Sequence, residues 1–192
     1  MKKILLQLFA LIIPCMAFGT EEPKPVSDWN YYIGTNLGFS GSEIKVHDEE
    51  FLDFGGVYNF ELGARYKKRL RLALNYQSRA EVSEFFQILF GHTIAVSNNA
   101  FRINTYYDYV SLNVFSMYIG AGVGGDIYHY KITDRINDTT ESEHGFTFAG
   151  GAMTGISFKI WRMQLDFGVV FDYIAKPQMF SYGPNIGLRY NF

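Results

Sequence analysis

One cysteine, Cys15, stands in the whole chain, so no intramolecular disulfide can staple the fold and no thiol pair is available for redox chemistry. An excess of charge of one sign is missing too. The 17 Lys and Arg against 19 Asp and Glu leave a net charge of -2, and no basic patch stands out, which excludes a nucleic-acid footprint. Beyond the first twenty residues no stretch approaches eighteen consecutive apolar residues, so no transmembrane helix is expected there. The helical period of 3.6 is absent as well. Aromatic residues, by contrast, are abundant: 18 Phe, 14 Tyr and 2 Trp in 192 residues, a length that suits one domain.

The segment MKKILLQLFALIIPCMAFG carries a positive start at Lys2 and Lys3, an apolar stretch from Ile4 to Ile13, and small residues at Ala17 and Gly19. These are the three parts of a cleaved secretory signal, and cleavage is expected after Gly19. A membrane anchor needs about twenty apolar residues, and this run is shorter and interrupted by Gln7 and Pro14. Lipidation at Cys15 would need a small residue before it, where Pro14 stands. Cleavage removes Cys15 and leaves 15 cations against 19 carboxylates. The expected organisation is a signal over 1–19, a short periplasmic segment over 20–28 and one domain over 29–192.

The period along that domain is two. In WRMQLDFGVVFDYIAK, Trp161, Met163, Leu165, Phe167, Val169, Phe171 and Tyr173 share one face, while Arg162, Gln164, Asp166, Gly168, Val170 and Asp172 share the other. Successive side chains of a strand point to opposite faces, so this is a strand with one greasy and one polar side. The alternation recurs seven more times, in YYIGTNLGFS, VYNFELGARY, LRLALNY, FRINTYYDY, NVFSMYIGAGVGGDIYHY, GFTFAGGAMTGISF and the closing MFSYGPNIGLRYNF. In a soluble, lipocalin-like barrel the apolar face packs inward and the other is rich in Lys, Glu and Thr. Here the second face is Gly, Ser, Asn and isolated Arg, Asp or Glu, the composition of a crowded polar interior. An outward apolar band, a polar lining and aromatics near strand ends (Tyr31, Tyr66, Tyr107, Trp161, Tyr173, Tyr190, Phe192) give the inverted pattern of a transmembrane β-barrel.

Connection lengths orient that barrel. Short turns are expected at Lys67–Arg69, Val110–Ser111 and Lys159–Ile160, and long loops at 41–53, 78–99 and 132–143, with a shorter one at 175–179. Short turns on the periplasmic side place both termini there, and pairing of the first strand with the last leaves no edge in hydrocarbon. The fold class is thus all-β, an eight-stranded antiparallel up-and-down transmembrane β-barrel.

The segment NTYYDY, a short turn, MYIGAGVGGDIY and the closing PNIGLRYNF resemble small outer-membrane β-barrels. The families are the OmpA-like transmembrane domain, the opacity-type surface proteins and the related surface antigens of rickettsia-like bacteria. The resemblance covers about Trp29 to Phe192 and includes no C-terminal peptidoglycan-binding domain. It implies residence in the outer membrane of a Gram-negative cell, contact with outer-membrane lipid and lipopolysaccharide, and recognition of the terminal Phe192 by the barrel assembly machinery.

Eight strands leave an interior just wide enough for side chains. The expected inward charges are Arg65, Arg71, Arg102, Arg162 and Arg189 against Glu61, Asp108, Asp126, Asp166 and Asp172, a balance that points to a salt-bridged plug rather than a pore. For catalysis a base must lie within reach of a nucleophile. His47 and His92 fall in expected loops, and His129 and His144 flank the third, with Ser142 and Glu143 nearby. None has the close His and Ser spacing of the lipid A deacylase barrels, and two histidines do not define a metal site. No catalytic residue, metal ligand or cofactor is assigned. EIKVHDEEF and DRINDTTESEHG read as polar hairpin tips. EVSEFFQILFGHTIAV, with Phe85, Phe86, Ile88, Leu89, Phe90 and Ile94, is apolar enough to dock a partner, lie on the outer leaflet or dip into the barrel mouth. The expected function is a monomeric envelope protein, not an enzyme, that displays its loops to a host or surface ligand; an outer-membrane lipid-modifying enzyme or a narrow channel is the alternative.

Overall fold

The computed structural model describes residues 28–46, 49–81, 92–134 and 139–192. The expected signal over 1–19, nearly all of 20–28, His47 and the apolar core of the second loop lie outside the described residues.

Eight strands follow one another: β1 (Trp29–Val46), β2 (Glu49–Tyr66), β3 (Leu70–Glu81), β4 (His92–Ser111), β5 (Phe115–Asp134), β6 (Thr139–Ile160), β7 (Met163–Ile174) and β8 (Gln178–Asn191). Each pairs antiparallel with its neighbours, and β1 pairs with β8 to close the barrel. Gly34↔Arg189 and Leu37↔Ile186 fix that closing register. A slip of one residue would exchange lipid-facing and inward side chains, so two strongly patterned faces specify the register.

Alternation is realised along every strand. Tyr31, Leu37, Leu62, Leu74, Phe101, Ile103, Ile119, Val123, Phe148, Phe171, Ile186 and Leu188 are exposed on the outside. Glu61, Arg65, Arg71, Asn75, Arg102, Asn104, Asp108, Asp126, Asp166, Asp172 and Arg189 are buried inside.

Three expectations need correction. The long loop expected over 41–53 is mostly paired strand, because β1 runs to Val46 and β2 starts at Glu49, with Lys45 opposite Glu50. A backbone ladder started in the apolar zone satisfies its own donors and acceptors residue by residue, and polar side chains do not end it. Two short turns also shift along the chain: β4 runs through Ser111, placing the turn at Leu112–Val114, and the β6–β7 turn is Trp161–Arg162. In β4 the register slips between Asp108 and Val110, a bulge that consumes an extra residue and that alternation alone does not reveal. Arg162 therefore leaves the inward set. It sits in the turn, 5.2 Å from the ring of Trp161.

The short turns are conformationally costly. Lys67 (φ 46°), Lys68 (φ 62°) and Trp161 (φ 57°) adopt the left-handed region without being glycine. Hairpins of this length place Asn or Gly there, because a Cβ in that region costs about 1–2 kcal/mol. Arg69 N donates to Tyr66 O at 3.1 Å and Lys67 N to Asp28 O at 2.9 Å, which anchors the first of these turns to the strand ends.

Candidate functional site

Inside the barrel, the side chains form three stacked layers. Nearest the short turns, Asp108 serves two guanidinium groups: Arg71 Nη2 donates to Asp108 Oδ1 at 2.8 Å, and Arg65 Nη2 lies 3.7 Å from Asp108 Oδ2. Arg65 also donates to Gln164 Oε1 at 2.8 Å. The guanidinium of Arg71 stands between two rings, 4.5 Å from Tyr106 and 4.6 Å from Tyr118, so aromatic faces take up part of its charge.

The middle layer is built around Arg189 and Asp166, which meet through two contacts of 2.5 Å in fork geometry. Ser157 donates to the same carboxylate. Tyr106 donates to Glu61 Oε2 at 2.8 Å. Tyr32 lies beneath Arg189, ring to guanidinium 5.5 Å. The ring fits because Gly63 faces it: a Cβ there would come within 2.3 Å of Tyr32 Cζ. Further along, Arg102 pairs with Asp172, which also accepts from Gln77 Nε2 at 2.9 Å, and Arg79 donates to Ser42. The free space among Glu61, Arg71, Asn75, Arg102, Asp166 and Arg189 is about 30 Å³, room for about two or three waters.

The third layer, toward the long hairpins, is apolar. Ile44, Val46, Val96, Ala100, Tyr128, Tyr130, Ala149, Ile174 and Met179 form one buried cluster inside the barrel wall. The expected polar lining gives way to an apolar one at this end, where β1, β4 and β5 continue beyond the stretches whose alternation is obvious. Arg79, buried at 2 % exposure, is likewise inward, because β3 runs on to Glu81, past the expected loop start at residue 78. Its signal was the unbroken parity from Arg71 through Asn75 and Gln77. With Arg79 in place of Arg162, the charge balance of the interior is preserved.

Above the apolar belt, β5 and β6 continue as a paired ladder to Asp134↔Thr139. The register sets His129 directly opposite His144, both exposed on the outer face, with Lys131 opposite Ser142 in the next row out. Glu143 points the other way and ties this hairpin to the β7–β8 turn. Lys176 Nζ lies 2.7 Å from Glu143 Oε1, while Tyr128 and Tyr130 donate to its two oxygens at 3.0 and 2.6 Å. The Lys176 ammonium, and then the two phenols, hold the Glu143 carboxyl down at about 2. Burial, then the same carboxylate, pushes the Tyr130 phenol up. His92 starts β4, and His47 lies outside the described residues. Among the described residues no three potential metal-binding side chains converge.

The two ends carry opposite charge. Among the described residues, the loop-end segments 43–46, 49–53, 81, 92–98, 129–134, 139–143 and 175–178 hold eight carboxylates against three lysines, whereas the turn segments 67–69, 112–114 and 159–162 hold five cations and no carboxylate.

Residues 10–192 match the outer membrane protein beta-barrel domain family. Among solved structures, the chain is similar to Neisserial surface protein A, with TM-score 0.63 and 15% identity over 84% of this chain and 97% of that one. It is also similar to Ail, the attachment invasion locus protein of Yersinia pestis, with TM-score 0.51 and 13% identity over 84% and 98%. A second structure of Ail, in complex with the heparin analogue sucrose octasulfate, gives TM-score 0.50 and 12% identity over 84% and 99%. No curated protein matches the sequence.

Proposed function

The chain belongs to the outer membrane protein beta-barrel domain family, and from that premise we propose that it is a plugged surface-display barrel whose long hairpins bind a partner outside the cell. The observation that carries the reading is the asymmetry of the two ends. The turns on one side are two or three residues long, while β4, β5 and β6, at 20 to 22 residues each, continue past the apolar belt as paired strands. About ten tilted residues suffice to cross the bilayer. The surplus has no role in crossing and presents side chains from a stiff support, as binding loops on rigid scaffolds do. In this reading the short turns and both termini are periplasmic, residues 1–19 are a removed signal, the barrel is a monomer, and the exposed Phe192 marks it for the assembly machinery. Packing of the lumen supports a structural rather than a conducting interior, and no catalytic role is assigned to His129 and His144.

The charge of the loop end selects among partners. Ail has been solved with a sulfated saccharide analogue, but the eight described carboxylates at the loop end of this chain repel polyanions and suit a partner with a basic face. Replacing residues 130–143 by a two-residue turn, with the barrel kept folded, should abolish attachment of expressing cells to target cells. Undiminished attachment by that variant, and by one lacking Glu81 to Asn98, rejects the display role.

A further inference from the structure

We propose that the short-turn end of the barrel is a docking rim for anionic lipid headgroups of the adjacent leaflet. Lys67, Lys68 and Arg69 form the β2–β3 turn, and Arg162 stands in the β6–β7 turn on the other side of the ring, with Lys159 at the barrel mouth near Asp108. Among the described residues, Asp28 is the one carboxylate side chain on this rim, and Asp108 within the mouth is already shared by Arg65 and Arg71.

Two further observations point to lipid. The cations are interleaved with rings: Lys67 Nζ stands 5.2 Å from the ring of Tyr66, which packs on Trp29 at 4.9 Å between centroids, and Arg162 stacks on Trp161. Trp161 is 77 % exposed. Aromatic rings with cations at the ends of lipid-facing strands are suited to the headgroup level, where the ring enters the interface and the cation meets phosphate. An acidic protein partner would leave these outward rings without a role. The backbone supplies the second observation. Lys67, Lys68 and Trp161 occupy the left-handed region at positions where Asn and Gly fold more easily. Turn formation therefore opposes these residues, and a headgroup contact gives their side chains a compensating role.

The two roles separate in one variant. Lys67→Asn with Lys68→Gly relieves the turn and removes two charges, so the folded barrel should become harder to unfold while its lipid preference falls. The measurement is native mass spectrometry of the folded protein in detergent, with phosphatidylglycerol and phosphatidylcholine as probes. The wild type should retain phosphatidylglycerol preferentially, with retention falling about fivefold per cation removed, which corresponds to about 1 kcal/mol for each charge at an anionic surface. Salt should erode the preference. A Lys131→Gln, Lys176→Gln variant at the opposite end should keep it. Equal retention of both lipids by the wild type, an unchanged preference in the turn variant, or an equal loss in the loop-end variant overturns the proposal. None of these outcomes bears on attachment through the hairpins.

Discussion

Arg189 and Asp166 face each other from β8 and β7 with paired contacts of 2.5 Å at Nε and Nη2, both side chains nearly sealed from solvent. Each is the other's directly bonded counterion, so each depends on the other. Asp166→Asn should destabilise the barrel by about 3–5 kcal/mol, because the guanidinium remains buried and unpaired. Equilibrium unfolding in urea, from lipid vesicles, measures the loss. The double variant Asp166→Leu, Arg189→Leu should recover much of it, since no lone charge is left behind.

Gly63 and Gly56 lie on the same strand and respond oppositely to one added methyl group. A Cβ on Gly63 would strike the Tyr32 ring, whereas one on Gly56 meets nothing within 4 Å. Gly63→Ala should cost about 1–3 kcal/mol by overpacking the ring against Arg189. Gly56→Ala should be nearly neutral in the same urea titration. Equal midpoints for the two variants would show that Tyr32 moves aside freely.

The tie between Glu143 and Lys176 sets a pH window for the long β5–β6 hairpin. The carboxyl titrates near 2 instead of near 4.5, so its contribution is complete above the unfolded value and fades as pH falls from about 4.5 through 2. Carbon-13 NMR of the Glu143 carboxyl should place its midpoint close to 2. Lys176→Gln should raise that midpoint toward the ordinary range, since the ammonium is the largest cause of the depression.

Wild-type protein in planar bilayers should show no reproducible conductance steps. The apolar layer of Ile44, Val96, Ile174 and Met179 and the packed charges beneath it leave space for only a few waters in the middle of the lumen. Large, uniform steps from purified barrel would reject the plug.

Much of this was legible along the chain because a barrel strand has two environments and a period of two. From Leu70 to Tyr76 or from Phe180 to Phe192, each residue declares its side, and the inward sets Arg71 and Asn75, and Asn185 and Arg189, follow directly. Legibility failed where alternation does not report the outcome. At Asp108 a bulge moves the turn; at 43–46 polar outward residues conceal that Ile44 and Val46 face inward; and Arg162 follows the strand parity of β7 yet sits in the turn before it.

The sequence by itself determined the strand count, the closed topology and the lipid-facing surface, since these follow from the backbone's need for partners in hydrocarbon and from which side chains water rejects. Only the tertiary structure decided which charges meet. Arg189 with Asp166, Arg102 with Asp172 and Arg71 with Asp108 are chosen by the stagger of strands around the ring, which brings together residues 23, 70 and 37 positions apart. That stagger is a property of closure, and no local pattern encodes it.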